Sequence, residues 1–89
     1  MMGKIYEDSY GEKSFVRKFT TTTPDVELVW HRDKRDRRVR VINGGGWEFQ
    51  YDNQLPFVME DGMIFNIKRE SFHRVFKGSS DLIIEIIEE

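Results

Sequence analysis

Short segments in which apolar and polar residues alternate run through this 89-residue chain and constrain its fold more than any other feature. Clusters of Gly, Asn, Asp and Ser separate the segments, and no stretch keeps a helical period for three turns. Alternation with a period of two is typical of half-buried β-strands, and many short strands with turn signals between them form sandwiches or barrels. The pattern predicts about eight short antiparallel strands, over 14–20, 26–30, 37–42, 46–51, 55–59, 63–68, 73–77 and 81–88.

Length and composition fit one globular domain with one core. Hydrophobic residues make up 38% of the chain and aromatic residues 13%, which supplies enough bulky side chains to fill the interior of a small barrel. We expect residues 13–89 to form this single domain. Residues 1–12 have the weakest pattern and are expected to form an N-terminal arm or an added edge strand.

Two segments allow more specific predictions about strand pairing. The run Asn43-Gly44-Gly45-Gly46 permits a tight reversal, so the strands on either side of it are predicted to pair as a hairpin. In the C-terminal strand, Ile84, Ile86 and Glu88 fall on one face, while the other face is also mostly apolar. Because exposed apolar strands promote association, we expect a homodimer formed through sheet packing.

Several classes of protein are excluded or disfavoured by the composition. The chain has no cysteine, so disulfides and thiolate metal sites are excluded and His and carboxylates are the strong metal ligands that remain. The N-terminus turns acidic before any apolar run develops, and the longest apolar cluster, Leu82–Ile87, is too short to span a bilayer. We therefore expect no signal peptide, no membrane partner and a cytoplasmic location.

Positive charge is concentrated in one short segment of a chain whose net charge is −2. Lys/Arg clusters of this kind supply affinity for phosphate groups, so contact with nucleic acid must be considered. A polar outer strand face followed by a hairpin explains the same run, and the overall acidic charge makes nucleic-acid contact the lesser alternative. The six basic residues of the segment are Arg32, Lys34, Arg35, Arg37, Arg38 and Arg40.

Two further segments carry histidine and glycine at characteristic separations, His31 with Gly44 and Gly62 with His73. This spacing resembles that of the cupin family, in which His31 and Gly44 fit the first histidine and the closing glycine of the first motif. Asp33 stands at the second histidine position and Arg37 at the glutamate position. In the second motif, Gly62 and His73 have the matching separation.

The resemblance covers residues 25–88 and implies an all-β fold. The expected architecture is a double-stranded β-helix, or jelly-roll barrel, of the small RmlC-like kind found as short stand-alone proteins in bacteria and phages. For a protein of this kind that is an enzyme, the resemblance implies metal-dependent oxygenase or isomerase chemistry.

The resemblance also implies a metal site at His31, Asp33 and His73. Two imidazoles and one carboxylate bind a divalent transition metal on one face and leave positions open for a substrate, and Fe, Mn and Zn all suit such ligands. Strand alternation independently predicts that His31 and Asp33 share a face. It also predicts that Arg37 shares the inner face with Val39 and Val41.

A metal-free polar cluster is the alternative interpretation of the same residues. A divalent ion with Asp33 and two neutral histidines leaves one positive charge, and Arg37 adds a second, which is costly in a partly desolvated pocket unless an anion joins. Without metal, Asp33 and Arg37 can form a neutral pair. With metal, Arg37 can grip a small acid, and Gln50 and Tyr51 are further candidates for lining the ligand pocket.

The sequence therefore predicts a protein that binds a small polar or anionic ligand inside the barrel, with or without a divalent metal. A metal-free, homodimeric structural or assembly module is the alternative. Nucleic-acid contact through residues 32–40 ranks below both.

Overall fold

The computed structural model describes residues 7–10, 14–24 and 32–88, and these form eight β-strands and no helix. The predicted all-β class is confirmed, and the predicted strand over 26–30 lies outside the described residues. No helix in the described part of the chain is long and apolar enough to cross a membrane. The strands are β1 (Glu7–Tyr10), β2 (Ser14–Phe19), β3 (Arg37–Asn43), β4 (Glu48–Tyr51), β5 (Phe57–Val58), β6 (Ile64–Ile67), β7 (His73–Phe76) and β8 (Leu82–Glu88).

The strands form two antiparallel sheets. The larger sheet has the order β1-β2-β8-β3-β6 and the smaller has the order β5-β4-β7. β1 therefore lies at the edge of the larger sheet, paired with β2. β8 lies at its centre between β2 and β3, so the last described strand pairs with two strands from the first half of the chain.

A hydrophobic core fills the space between the two sheets. Alternate residues of β3 and β8 face it, which is the reason for the two-residue period along these strands. Phe49 of the smaller sheet contacts Phe65 of the larger one at 4.8 Å between ring centroids. The buried hydrophobic residues are Phe15, Val39, Val41, Trp47, Phe49, Met59, Ile67, Leu82, Ile84 and Ile86.

The predicted hairpin at the glycine run is wrong. β3 and β4, which flank it, belong to different sheets, and β3 pairs with β6 and β8 instead. The run carries the chain from one sheet to the other, and a Cβ on Gly44 would lie 1.8 Å from the carbonyl oxygen of Met59. The glycines are needed for two reasons: Gly45 and Gly46 form a tight turn with φ values of 60° and 80°, and the crossing packs directly against neighbouring backbone at Gly44.

Candidate functional site

Asp33, Arg37 and His73 meet at the inner edge of the two sheets. Asp33 lies in the loop before β3, Arg37 is the first residue of β3, and His73 is the first residue of β7 in the opposite sheet. One carboxylate oxygen of Asp33, Oδ2, lies 3.4 Å from Arg37 Nη1 and 3.3 Å from His73 Nε2. Three of the four residues that the sequence placed inside the barrel are therefore in contact.

Glu88 completes this cluster and was not among the predicted site residues. It is the direct cross-strand partner of Arg37, and its Oε2 accepts hydrogen bonds from Arg37 Nε at 2.9 Å and Nη2 at 2.7 Å. The sequence did contain an indication of this role, because alternation along β8 places the Glu88 carboxylate on the same face as Ile84 and Ile86. The guanidinium thus contacts two carboxylates of the chain itself, so its main contacts are structural.

The imidazole of His73 is held in a fixed orientation. Its Nδ1 lies 3.0 Å from the carbonyl oxygen of Ser71, and its ring stacks on Phe49 with 5.5 Å between centroids and 18° between planes. The residue is only 3% exposed. Because a carbonyl oxygen only accepts hydrogen bonds, this contact requires the proton on Nδ1, which directs Nε2 toward Asp33.

The gap between His73 Nε2 and Asp33 Oδ2 fits a bound cation. With the proton on Nδ1, a neutral imidazole presents a lone pair at Nε2 toward a carboxylate oxygen, an arrangement that needs a proton or a metal ion between the two atoms. Two donors that each bind one ion at about 2.1 Å with a near-tetrahedral angle are about 3.4 Å apart. The observed 3.3 Å is consistent with that separation. A backbone carbonyl on the other ring nitrogen is also the usual setting of a metal-binding histidine.

His31, the third predicted metal ligand, lies outside the described residues. Among those residues, no set of three or more His, Asp and Glu side chains is placed to hold a metal ion. A three-ligand site would therefore need a ligand from outside the described residues, where His31 lies.

The two remaining candidates lie on opposite faces of β4. Gln50 is on the outer face, where its amide nitrogen donates to the carbonyl oxygen of Gln54 and its amide oxygen accepts from Arg74 Nε. Strand alternation explains this placement, because Phe49 and Tyr51 occupy the inner face. The structure thus separates Gln50 from the cluster around Asp33.

Tyr51 lies on the inner face as the cross-strand partner of His73. Its hydroxyl donates to the carbonyl oxygen of Asn66, which links the smaller sheet to β6 of the larger one. Burial raises the pKa of the Tyr51 phenol above its ordinary value. Tyr51 also lines a surface depression of about 360 Å³, together with Asp52, Gln54, Asn66, Lys68, Ser71 and Phe72.

Solved structures of other proteins share this arrangement of strands. An RmlC-like cupin with a double-stranded β-helix fold from Methanocaldococcus jannaschii aligns with 99% of this chain and 91% of its own at a TM-score of 0.68 and 14% identity. A cupin domain from Bordetella pertussis aligns with 96% of this chain and 92% of its own at a TM-score of 0.63 and 15% identity. This chain has the cupin fold. The predicted jelly-roll architecture is therefore confirmed.

Another solved structure that is similar to this chain is that of FeII HppE. It aligns with 85% of this chain at a TM-score of 0.67 and 12% identity, and the matched region is 41% of the HppE chain. Identities this low establish the fold alone. No protein-family model and no curated protein matches the sequence.

Proposed function

We propose that this cupin-fold protein binds a divalent transition metal ion through His31, Asp33 and His73 and holds a small anionic or polar ligand beside it. The observation that supports this most is the pairing of Asp33 Oδ2 with His73 Nε2 at 3.3 Å, with Nδ1 committed to the Ser71 carbonyl. A bound divalent ion would act there as a Lewis acid on an oxygen of the ligand. FeII HppE shows that the same fold accommodates iron in another protein.

Arg37 and Glu88 have the role of positioning Asp33 in this proposal. Arg37 is 17% exposed and Asp33 is 14% exposed, so their attraction is weakly screened by solvent. Glu88 holds the guanidinium from the other side at 2.7 Å. The carboxylate of Asp33 is thereby kept in the orientation that points Oδ2 at His73.

Glu88 also changes the charge balance of the metal-bound site. With two neutral imidazoles, the positive charges of a divalent ion and Arg37 are opposed by the carboxylates of Asp33 and Glu88, which leaves one positive charge. A single anionic group on the ligand would neutralise it, and such neutrality is what a partly buried site requires. We therefore expect the ligand to be a monoanion such as a small carboxylate.

Metal analysis tests the proposal directly. Protein purified without chelator, or reconstituted with Fe(II), Mn(II) or Zn(II) and desalted, should contain close to one equivalent of metal. Both His31→Ala and His73→Ala should reduce that content to background, because each removes a ligand. Gln50→Ala is the matched control, since Gln50 lies on the outer face and should leave the metal content unchanged. Wild-type protein that retains no metal after reconstitution would contradict the proposal.

A metal-free homodimeric assembly module is the second candidate. It is favoured by the Asp33–Arg37–Glu88 cluster, whose charges are opposed within the chain itself without a metal ion. It is also favoured by Ile42 and Ile64, which lie on the outer face of the larger sheet and are 39% and 59% exposed. Apolar side chains on an outer sheet face are commonly covered by a second copy of the chain.

The oligomeric state distinguishes this second candidate. Sedimentation of the wild type should give the mass of a dimer in the presence of chelator, and Ile64→Glu should give the mass of a monomer without loss of far-UV circular dichroism. Val58→Glu is the control, because Val58 is a similarly exposed apolar residue in the other sheet. A wild-type monomer at high protein concentration would exclude the dimer.

A further inference from the structure

One end of the molecule combines exposed positive charge, an exposed aromatic ring and a depression of ligand size. This end, called the basic end below, consists of loop 32–36 and turn 68–72. We infer that the basic end binds single-stranded nucleic acid, with one base held in the depression beside Phe72 and the backbone phosphates held by the surrounding cations.

Two hydrogen bonds join the loop and the turn into one surface. The backbone N–H of Glu70 donates to the carbonyl oxygen of Asp33 at 2.7 Å, and the backbone N–H of Arg69 donates to Asp36 Oδ1 at 2.8 Å. Arg32 adds a third connection, with its guanidinium 3.5 Å from Glu70 and 5.3 Å from the centre of the Phe72 ring. Basic residues that are more than 30 positions apart in the sequence therefore lie on the same end.

The charge of the basic end differs from that of the molecule as a whole. It carries five exposed cations against two exposed carboxylates, Asp36 and Glu70, whereas the whole chain has 14 basic and 16 acidic residues. Four of the five cations form no ion pair with another described residue, in contrast to Arg37 and Arg40, which are paired with carboxylates. These four cations, available to bind phosphate groups, are Lys34, Arg35, Lys68 and Arg69.

Phe72 provides a surface on which a base can stack. Phe72 is 43% exposed. It lines the depression of about 360 Å³ together with Lys68. Aromatic rings beside cationic grooves are the standard means of holding single strands, because every base has a flat face that stacks. The same lining includes Asn66, an exposed residue whose amide side chain has a hydrogen-bond donor and an acceptor for the edge of a base.

The lining also indicates which part of a nucleotide would enter the depression. Asp52, an exposed residue with a carboxylate side chain, is part of the lining, and its backbone N–H donates to the carbonyl oxygen of Phe72. A phosphate group beside that carboxylate would be repelled, whereas an uncharged base would not. Duplex DNA keeps its bases stacked and unavailable to Phe72, so a single strand fits the surface better than a duplex.

Fluorescence anisotropy with a labelled oligothymidylate of about 12 nucleotides tests the inference. The wild type should bind it at low salt, with an affinity that falls steeply as salt concentration rises. Lys68→Ala combined with Arg69→Ala should weaken binding at least tenfold and reduce the slope of log K against log salt by about 1.4, the value for two lost phosphate contacts on a single strand. Phe72→Ala should weaken binding by about tenfold with an unchanged slope, since it removes stacking and no charge.

Lys18→Ala is the matched control, because Lys18 is a cation paired with Asp81 at the opposite end of the larger sheet. It should leave both affinity and salt slope unchanged. Equal loss in Lys18→Ala would overturn the inference, as would the absence of salt-dependent binding by the wild type. Two further results would overturn the inference. One is that thymidine monophosphate binds as tightly as the oligonucleotide, and the other is that anionic phospholipid vesicles bind while the oligonucleotide does not. All four altered positions are exposed or partly exposed, so circular dichroism of the variants should match the wild type.

Discussion

At the residue scale, Glu85 and Glu88 provide a natural comparison for the proposed site. They lie three positions apart on β8, and each accepts a hydrogen bond at 2.9 Å from the Nε of an arginine on β3. Glu85 and Arg40 are on the outer face of the sheet, whereas Glu88 and Arg37 are on the face that carries Asp33. The two glutamates therefore make the same contact with an arginine Nε, although Glu85 also accepts from Ser14 Oγ at 3.3 Å, and only Glu88 lies on the face of Asp33.

Glu88→Gln should weaken metal binding, while Glu85→Gln should not. Loss of the Glu88 charge frees Arg37 to pair more closely with Asp33, which competes with a metal ion for the same carboxylate. Residues that orient a metal ligand typically change affinity by about 10–100-fold, so we expect a rise of about tenfold in the Zn(II) dissociation constant for Glu88→Gln. Competition with a chromogenic chelator measures it. Equal effects of the two substitutions would show that Glu88 does not act through Asp33.

Tyr51 should titrate later than an exposed tyrosine. Burial raises its pKa above the ordinary value of 10.0, so the neutral phenol stabilises the fold fully below pH 10 and this contribution is lost as pH rises through the higher folded-state pKa. Titration of tyrosinate absorbance should show one late phase among the three tyrosines, and Tyr51→Phe should abolish it.

The same substitution also gives a stability prediction. Tyr51→Phe removes the hydrogen bond to the Asn66 carbonyl and should lower the free energy of unfolding at neutral pH by about 1 kcal/mol. Denaturation in urea measures this change. In the tyrosinate titration, a late phase that persists in Tyr51→Phe would show that the late-titrating residue is Tyr6 or Tyr10 and not Tyr51.

At the element scale, the segment between β3 and β4 determines how the two sheets are joined. Gly45 and Gly46 have φ values of 60° and 80°, which L-residues with side chains rarely adopt. Gly44 has an ordinary φ but packs against backbone, and the Trp47 N–H donates to its carbonyl oxygen at 2.9 Å. Close packing therefore restricts Gly44 and Gly45, since a Cβ on Gly45 would lie 2.5 Å from the carbonyl oxygen of Asp81, whereas backbone conformation restricts Gly45 and Gly46.

Gly44→Ala should be much more destabilising than Gly62→Ala. The Cβ at position 44 would overlap the Met59 carbonyl oxygen at 1.8 Å, and backbone cannot move aside as a side chain can. At Gly62 nothing lies within 4 Å of the added Cβ, and the penalty comes from its φ of 84° alone, about 1–2 kcal/mol. Urea unfolding should show this modest loss for Gly62→Ala and a loss of several kcal/mol for Gly44→Ala. Similar losses would show that the crossing is not tightly packed.

Local pattern predicted the individual strands well but not how they pair. Alternation along β3 predicted Arg37 on the face of Val39 and Val41, and the structure places it there. The glycine run was misinterpreted because glycine permits both a hairpin and a close crossing, and only the backbone at Met59 distinguishes them. The contact of Arg37 with Glu88 was missed because a register that joins residues 51 positions apart leaves no local signal.

At the scale of the whole molecule, the proposed site exists only when the fold is complete. Asp33 and Arg37 flank the start of β3, His73 begins β7 in the other sheet, and Glu88 ends β8. In the unfolded chain, Asp33 and Arg37 remain near each other, but His73 and Glu88 are far from both. A ligand that binds the assembled cluster therefore stabilises the entire fold by mass action.

Thermal unfolding with and without metal measures this linkage. A divalent ion at 100 times its dissociation constant contributes about 2.7 kcal/mol when it binds the folded state alone. For a domain of this size each kcal/mol shifts the Tm by about 4–8 °C, so the Tm should rise by about 10–20 °C. Asp33→Asn should abolish the rise, because an amide is a poor substitute for the carboxylate between His73 and Arg37. An equal rise in Asp33→Asn would show that the ion binds elsewhere, and an unchanged Tm in the wild type would favour the metal-free cluster.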